Sequence, residues 1–172
     1  MKPYARGKSI FFREVTVEDS EFIVGLRTDP EKNKYLSTTS EDIEEQKKYC
    51  YKLLKENIDY YFIICDWDQN PIGTIRIYDF QADSFCWGSW IIAQNAPASA
   101  AIESALLIYD FAFLSLHYRK SHFDVRKKNT RVLEFHKRFG ASVFKEDELN
   151  YFFSYDREAY LKIRAKYKRY LP

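Results

Sequence analysis

Apolar positions recur every second residue in some stretches of this chain and every third to fourth in others. Those two periods separate strands from helices. Ile10 and Phe12 alternate with Phe11 and Arg13, so residues 9–15 read as a short strand. Thr16, Val17, Glu18 and Asp19 then open a helix that carries Phe22, Ile23 and Leu26, with its acidic groups in the first turn, where the helix dipole favours them. Residues 33–40 are a polar loop. Ser40, with Glu44 close behind it, starts a second helix that runs to about Asn57 and bears Ile43, Cys50, Leu53 and Leu54. Residues 60–66 and 72–79 are strands joined by the turn Asp68-Gln69-Asn70-Pro71, and the turn at 81–84 leads into a strand at 85–92. Short connections between these three strands predict an antiparallel meander.

The period then lengthens. Ala98, Ala101, Ile102, Ala105, Tyr109, Ala112, Phe113 and Leu116 mark one long helix with a continuous apolar stripe, starting near Pro97. A strand at 122–125 follows, ending in a charged turn. Asn129 is the N-cap of a helix of about three turns, and Gly140 stands at its C′ position. Strands at 141–145 and 150–155 close the sheet, and a basic helix from Arg157 to about Tyr170 ends the chain. The predicted order is β-α-α-β-β-β-α-β-α-β-β with an added C-terminal helix. Nothing resembling a linker or an internal repeat interrupts it, so residues 1–172 read as one domain.

Composition narrows the class. With 46% hydrophobic and 30% charged residues the chain is neither disordered nor membrane-embedded, and no apolar run approaches the roughly 18 residues that span a bilayer. The N-terminal Met1-Lys2-Pro3-Tyr4 lacks the apolar core of a signal peptide. Cys50, Cys65 and Cys86 show no metal spacing and read as buried free thiols, which implies a reducing, cytoplasmic setting. Net charge is only +2 but uneven: residues 119–138 carry 8 basic against 2 acidic groups, and 14–59 carry 7 against 12. Positive charge in the second half suits a polyanionic ligand such as coenzyme A, a nucleotide-sugar or RNA. Gly-x-Ser-x-Gly, a Walker loop, metal-ligand spacing and a Cys–His pair at nucleophile spacing are all missing, so the sequence offers no rival chemistry.

The stretch from Asp124 to Ala141 reads as strand, Val125, three residues, Asn129, then Val132, Phe135, His136 and Gly140. This resembles the second half of the acyl-CoA site of the GNAT acyltransferase superfamily, and the element order resembles that family along essentially the whole chain. The resemblance implies an α/β (α+β) fold with a mixed, mostly antiparallel seven-stranded sheet flanked by helices. It also implies that the strands at 85–92 and 122–125 run parallel and splay apart. Acetyl-CoA would enter at that splay as acyl donor, and its pyrophosphate would rest on free amides at a helix N-terminus.

On that resemblance the donor site comprises Trp90, Ile91, Ile92, Ala93, Pro97, Ala98, Ser99, Ala100, Ala101 and Asn129. The family's usual turn carries glycines where this chain has Pro97 and Ser99, whereas its small residues still allow close approach to a phosphate. His136 stands seven residues after Asn129, on the same helix face, where the family usually places an acid Tyr. It is the expected donor to the leaving thiolate; the bland alternative is a surface histidine. His117 and His122 receive that bland reading. Candidates for the base are Asp124 and Asp79, with Asp83 nearby, although each residue type serves more often in turns and ion pairs. A backbone amide near Trp90 or Ile91 would stabilise the oxyanion.

The acceptor is expected to be a small-molecule amine. The opening Ile10, Phe12, Arg13, Val15, Asp19 and the run Tyr35-Leu36-Ser37 resemble the branch with ribosomal-protein alanine and amino-sugar acetyltransferases. Tyr35, Trp87, Tyr151, Phe153 and Tyr155 are the expected acceptor-binding rings, and stacked rings favour a nucleotide-sugar over a protein N-terminus. A non-catalytic acyl-CoA-binding module is the alternative from another class, and an RNA-binding domain ranks last. Membrane partners are not expected, and a homodimer is left open.

Overall fold

A computed structural model of the chain describes residues 4–36 and 39–172. Met1, Lys2 and Pro3, and Ser37 of the Tyr35-Leu36-Ser37 run and the expected 33–40 loop, lie outside the described residues. The strands are β1 (Ala5–Arg6), β2 (Ile10–Glu14), β3 (Tyr60–Asp66), β4 (Pro71–Gln81), β5 (Ser84–Ile92), β6 (Lys120–Arg126), β7 (Ser142–Glu146) and β8 (Asn150–Asp156). The α-helices are α1 (Ser20–Thr28), α2 (Ile43–Glu56), α3 (Ala100–Tyr109), α4 (Thr130–Arg138) and α5 (Arg157–Lys166).

All the strands join one eight-stranded sheet in the order β1-β2-β3-β4-β5-β6-β8-β7. The expected seven strands become eight because the two-residue β1 pairs with β2, a contact too short to leave a period in the sequence. Every pairing is antiparallel except β5 with β6. That parallel pair is held only at Ser84↔Lys120 and Phe85↔Ser121, and beyond those residues the strands part.

Strand parity sorts the side chains onto two faces. Ile10, Phe12, Phe62, Ile75, Ile77, Phe85, Phe123 and Phe153 pack with Leu106, Tyr109 and Phe113 in the main core. Phe11, Tyr61, Ile63 and Cys65 face the other way and meet Ile23 of α1 and Cys50 of α2. Helices α1 and α2 therefore cover the second face near β2–β4 and leave it open over β5–β8.

Several local sequence cues have physical causes here. Ile10 and Phe12 are wholly buried, and Arg13 holds Asp19 through paired bonds of 2.6 and 2.7 Å. Asp19 in turn accepts from the Thr16 amide at 2.7 Å, which ties the end of β2 to the entry of α1. Helix α2 is capped by Asp42, two residues later than the expected Ser40, because the Asp42 carboxylate accepts the Glu44 amide. The long apolar stripe is not a single α-helix. α3 gives way at Asp110 to a π turn over Asp110–Ser115, where Asp110 takes Tyr160 at 2.5 Å and Arg164 at 2.7 Å from α5. Asn129 and Gly140 occupy the expected cap positions, Gly140 with φ +96°. All three cysteines are buried free thiols. Among the described residues no helix is long and apolar enough to cross a membrane.

Candidate active site

The parting of β5 from β6 is enforced by a bulge. Arg76 pairs with Gly88 and Thr74 with Ile91, so Ser89 and Trp90 together oppose Ile75. One amide of the bulged pair is thereby released from the ladder. Ser89 adopts φ +49°, and its carbonyl is pinned by the Thr74 hydroxyl at 2.7 Å. Gly73 permits this approach: a Cβ there would stand 2.5 Å from the Ile91 carbonyl oxygen.

On the helix side the splay is lined by rings. Trp87 and Trp90 of β5 lie 5.2 Å apart, centroid to centroid, and Trp90 reaches Phe135 of α4 at 5.1 Å. His136 sits among them, 4.3 Å from Phe123, 5.6 Å from Trp87 and 5.8 Å from Phe153. Only 5% of His136 is exposed, and its Nδ1 has no hydrogen-bond partner among the described residues. Burial alone pushes its pKa down to about 3, so the imidazole is neutral at pH 7. The bland reading of His136 as a surface residue is overturned, because one turn after Leu133 the helix faces the sheet. An orphaned buried nitrogen in a splay of this kind is a natural partner for a ligand. Asn129, half-buried at the head of the same helix, spends no side-chain bond on its own cap.

The N-terminus of α3 forms the other wall. The helix begins at Ala100, and Pro97 lies in the preceding turn rather than at the first helical position, its carbonyl accepting the Ala100 amide at 2.9 Å. Ser99 directs its hydroxyl to Glu103 at 2.7 Å, and Glu103 also receives the Ser9 amide at 2.8 Å. The amides of Ala98, Ser99, Ala101 and Ile102 then have no backbone acceptor among the described residues. Even without the family's glycines, this turn keeps a set of free N–H groups fit for a pyrophosphate. Ala100 is fully buried and offers no side-chain surface, and Ile91 is 4% exposed, so any ligand contact there is through backbone.

The open face holds a different set. Continuing the register of Phe85 with Ser121 sets Asp124 level with Gly88, and Asp124 is exposed. A pocket of about 340 Å³ opens at Ser89 and is lined by Arg27, Thr39, Ser40, Glu45, Gln46, Tyr49, Tyr61 and Arg76. The Arg76 guanidinium lies 4.3 Å over the Tyr78 ring and donates to the Tyr49 hydroxyl oxygen. It also pairs with Asp59 at 3.8 Å. Tyr35 is not part of that lining; its hydroxyl donates to the Lys128 carbonyl at 3.0 Å.

Four of the five expected acceptor rings are elsewhere. Tyr155 is 2% exposed and donates to the Phe139 carbonyl inside the core. Trp87 is packed against Tyr109 and His136 on the helix side. Tyr151 stands opposite Val125, on the helix side, with Lys127 and Lys137 over its ring. Phe153 is fully buried against Phe123. The error is one of parity: on β8 the residues facing the open side are Asn150, Phe152 and Ser154, with Phe152 opposite Asp124. Asp79 also stands back from the splay. It is level with the paired ends of β5 and β6, where it holds His122 at 2.8 Å. The surface reading of His122 fails with it, since its Nδ1 meets Ser84 at 2.6 Å. Arg76, a charge flanked by Ile75 and Ile77, was the unread signal for the pocket.

Known proteins share this fold. A family model described as acetyltransferase (GNAT) domain matches residues 9–142. A solved structure described as apo FdhC, a nucleotide-linked sugar GNAT, is 38% identical and superposes with a TM-score of 0.89, covering 99% of this chain and all of the other. Acetyltransferase PseH of Campylobacter jejuni is 23% identical over 137 residues, 80% of this chain and 85% of that one. Spermidine N-acetyltransferase from Vibrio cholerae, solved with CoA and spermine, shares the fold with a TM-score of 0.76 at 19% identity, over 89% of this chain and 98% of the other. The splayed strands, the bulge of β5 against β4 and the free amides of α3 thus belong to an acyltransferase, and the chain is a member of the GNAT acetyltransferase family.

Proposed function

We propose that this acetyltransferase moves an acetyl group from acetyl-CoA to a primary amine on a nucleotide-linked amino sugar. The pocket at Ser89 carries the reading. Two guanidiniums, Arg27 and Arg76, and the rings of Tyr49 and Tyr61 line it with one carboxylate, Glu45, while Asp59 pairs with Arg76 from outside the lining. A polycationic acceptor requires the opposite charge balance, whereas a sugar bearing phosphates is attracted to this one. The likeness to a nucleotide-linked sugar GNAT at 38% identity supports the same acceptor class.

In this reading the donor lies on the helix side and the acceptor on the open side, and they meet through the gap beside Gly88 and Ser89. The free amides at 98–102 receive the donor's pyrophosphate, and the Asn129 side chain meets its pantetheine arm. The amide freed by the bulge polarises the thioester carbonyl. Asp124 removes the amine proton on the open face. His136, held neutral by burial, keeps its proton and donates an N–H hydrogen bond to the sulfur as the C–S bond breaks.

Two measurements test it. Acetyl-CoA at 100 times its dissociation constant is expected to stabilise the protein by about 2.7 kcal/mol. No melting shift at millimolar CoA means that the turn with Pro97 and Ser99 does not hold the donor. Thiol release is expected with uridine- or thymidine-diphosphate-linked amino hexoses at a kcat/KM on the order of 100-fold above that for spermidine, about 2.7 kcal/mol of discrimination. A preference for spermidine removes the acceptor assignment. Donor binding with no thiol release to any amine favours a binding module.

A further inference from the structure

Tyr78 lies half-buried on the open face and reaches over β5 where that strand leaves β6. Its backbone is paired with Cys86, yet its hydroxyl stands over Gly88, two residues further along β5. A Cβ on Gly88 would meet the Tyr78 oxygen at 3.0 Å and its Cε1 at 3.4 Å, so any side chain there would crowd the phenol. The next residue, Ser89, begins the bulge that frees an amide, and across the splay Asp124 is level with Gly88. The phenol oxygen thus shares the open side of Gly88 with the bulge and with the carboxylate assigned as base. Its polar neighbours are the Cys86 thiol and the Asp124 carboxylate. Arg76 joins this spot to the pocket at Ser89: it lines that pocket, and its guanidinium covers the Tyr78 ring at 4.3 Å.

Acyl transfer gives a hydroxyl in this place something to do. An ammonium acceptor gives one proton to Asp124. The nitrogen electron pair then forms the N–C bond, the C–S bond breaks, and a second nitrogen proton ends on sulfur. Proton removal bares the electron pair on the side of Asp124, whereas it is needed on the side of the thioester. The nitrogen has to turn, and a second polar group has to hold it meanwhile. We propose that Tyr78 is a catalytic residue that holds the acceptor nitrogen. Its hydroxyl oxygen accepts one N–H, and the nitrogen turns about that bond until its electron pair faces the carbonyl polarised at the bulge. The inference rests on acyl transfer to an amine with Asp124 as base, and not on the acceptor being a sugar nucleotide.

The phenol does not replace Asp124 as base. Burial, and then the nearby Cys86 and Asp124, push it above the ordinary tyrosine value, and the opposing Arg76 charge does not reverse the shift. It therefore keeps its proton from pH 5 to 9. Burial also pushes the Cys86 thiol up to about 11, so Cys86 stays a thiol, a weak partner that leaves the phenol oxygen able to accept.

The decisive variant is Tyr78→Phe, which keeps the ring beneath Arg76 and removes only the oxygen. Rates are measured from pH 5 to 9 with a uridine-diphosphate-linked amino hexose and, in parallel, with benzylamine. The expected result is a kcat/KM for the amine lower by about 10–100-fold, by the same factor at every pH, with acetyl-CoA affinity and melting temperature unchanged. Wild-type kcat/KM in Tyr78→Phe overturns the proposal. A loss confined to alkaline pH overturns it too, because the phenol is then a base, as does a matching loss of acetyl-CoA affinity, because the phenol then supports the donor. Asp124→Asn is run alongside: a wild-type rate in that variant removes the base, and the Tyr78→Phe rates still decide whether the phenol holds the nitrogen. If the wild-type enzyme acetylates benzylamine but no sugar nucleotide, the acceptor assignment falls and the benzylamine rates decide on Tyr78. Donor binding without turnover of either amine overturns both readings.

Discussion

Acid is expected to destabilise this protein through His136 alone by on the order of 5 kcal/mol. The imidazole is neutral in the native state down to about pH 3, whereas in the unfolded chain it protonates near pH 6.5. Between those values the unfolded state binds the extra proton, so native stability rises with pH across the window. The contribution is fully present above pH 6.5 and is lost at about 1.4 kcal/mol per pH unit as pH falls below it. Carboxylates lose their own partners in acid, so the test is a difference between proteins. His136→Phe keeps a ring of similar size among Phe123, Trp87 and Phe153 and cannot titrate. Urea unfolding at pH 7 and pH 4.5 is expected to show the variant gaining roughly 2.7 kcal/mol relative to wild type over that interval. A constant difference between the two proteins would show that His136 protonates in place. The same variant reports on chemistry: with the N–H lost from the splay, kcat is expected to fall about 10²–10³-fold with little change in acetyl-CoA affinity.

The element order was legible because every helix and strand except the two-residue β1 is long enough to show its period, and because Asn129 and Gly140 bound α4 with residues that few other roles require. The site was legible only in part. That Asn129 and His136 share one helix was legible, because seven residues of sequence fix that relation. The acceptor side was misread by one residue along β8. Both parities of Tyr151-Phe152-Phe153-Ser154-Tyr155 are rich in rings, so hydrophobicity alone does not say which face is buried. On β5 the bulge at Ser89 breaks alternation outright, bringing Trp90 back to the helix side, where its indole donates to Ser104 at 3.0 Å. A bulge of this kind carries no composition signal beyond Gly73 across from it. The bonds of His122 to Ser84 and Asp79 were invisible for a different reason: these partners are 38 and 43 residues away from it and meet it only through strand pairing.

Asp124→Asn is expected to cost about 10²–10⁴ in kcat, the usual contribution of a positioned base, while leaving the KM for acetyl-CoA within a few-fold. The split follows from the two faces of the sheet. The groups assigned to the donor, the amides of α3, Asn129 and His136, lie on the helix side, whereas Asp124 stands among the open-side residues of β6. The register from Phe85↔Ser121 sets its carboxylate level with Gly88, next to the bulge through which donor and acceptor meet. Gly88 leaves that approach clear, since a Cβ there would come 3.0 Å from the Tyr78 hydroxyl. A structural role is easily separated from a chemical one, because Asp124 is exposed and Asn has its shape. The substitution should move stability by no more than about 0.5 kcal/mol. Asp124→Glu is expected to recover part of the rate, as a carboxylate on a longer arm can still reach the amine. Wild-type kcat in Asp124→Asn at every pH from 5 to 9 would move proton removal to another group, and a fall confined to acceptor KM would make Asp124 a binding residue for the ammonium.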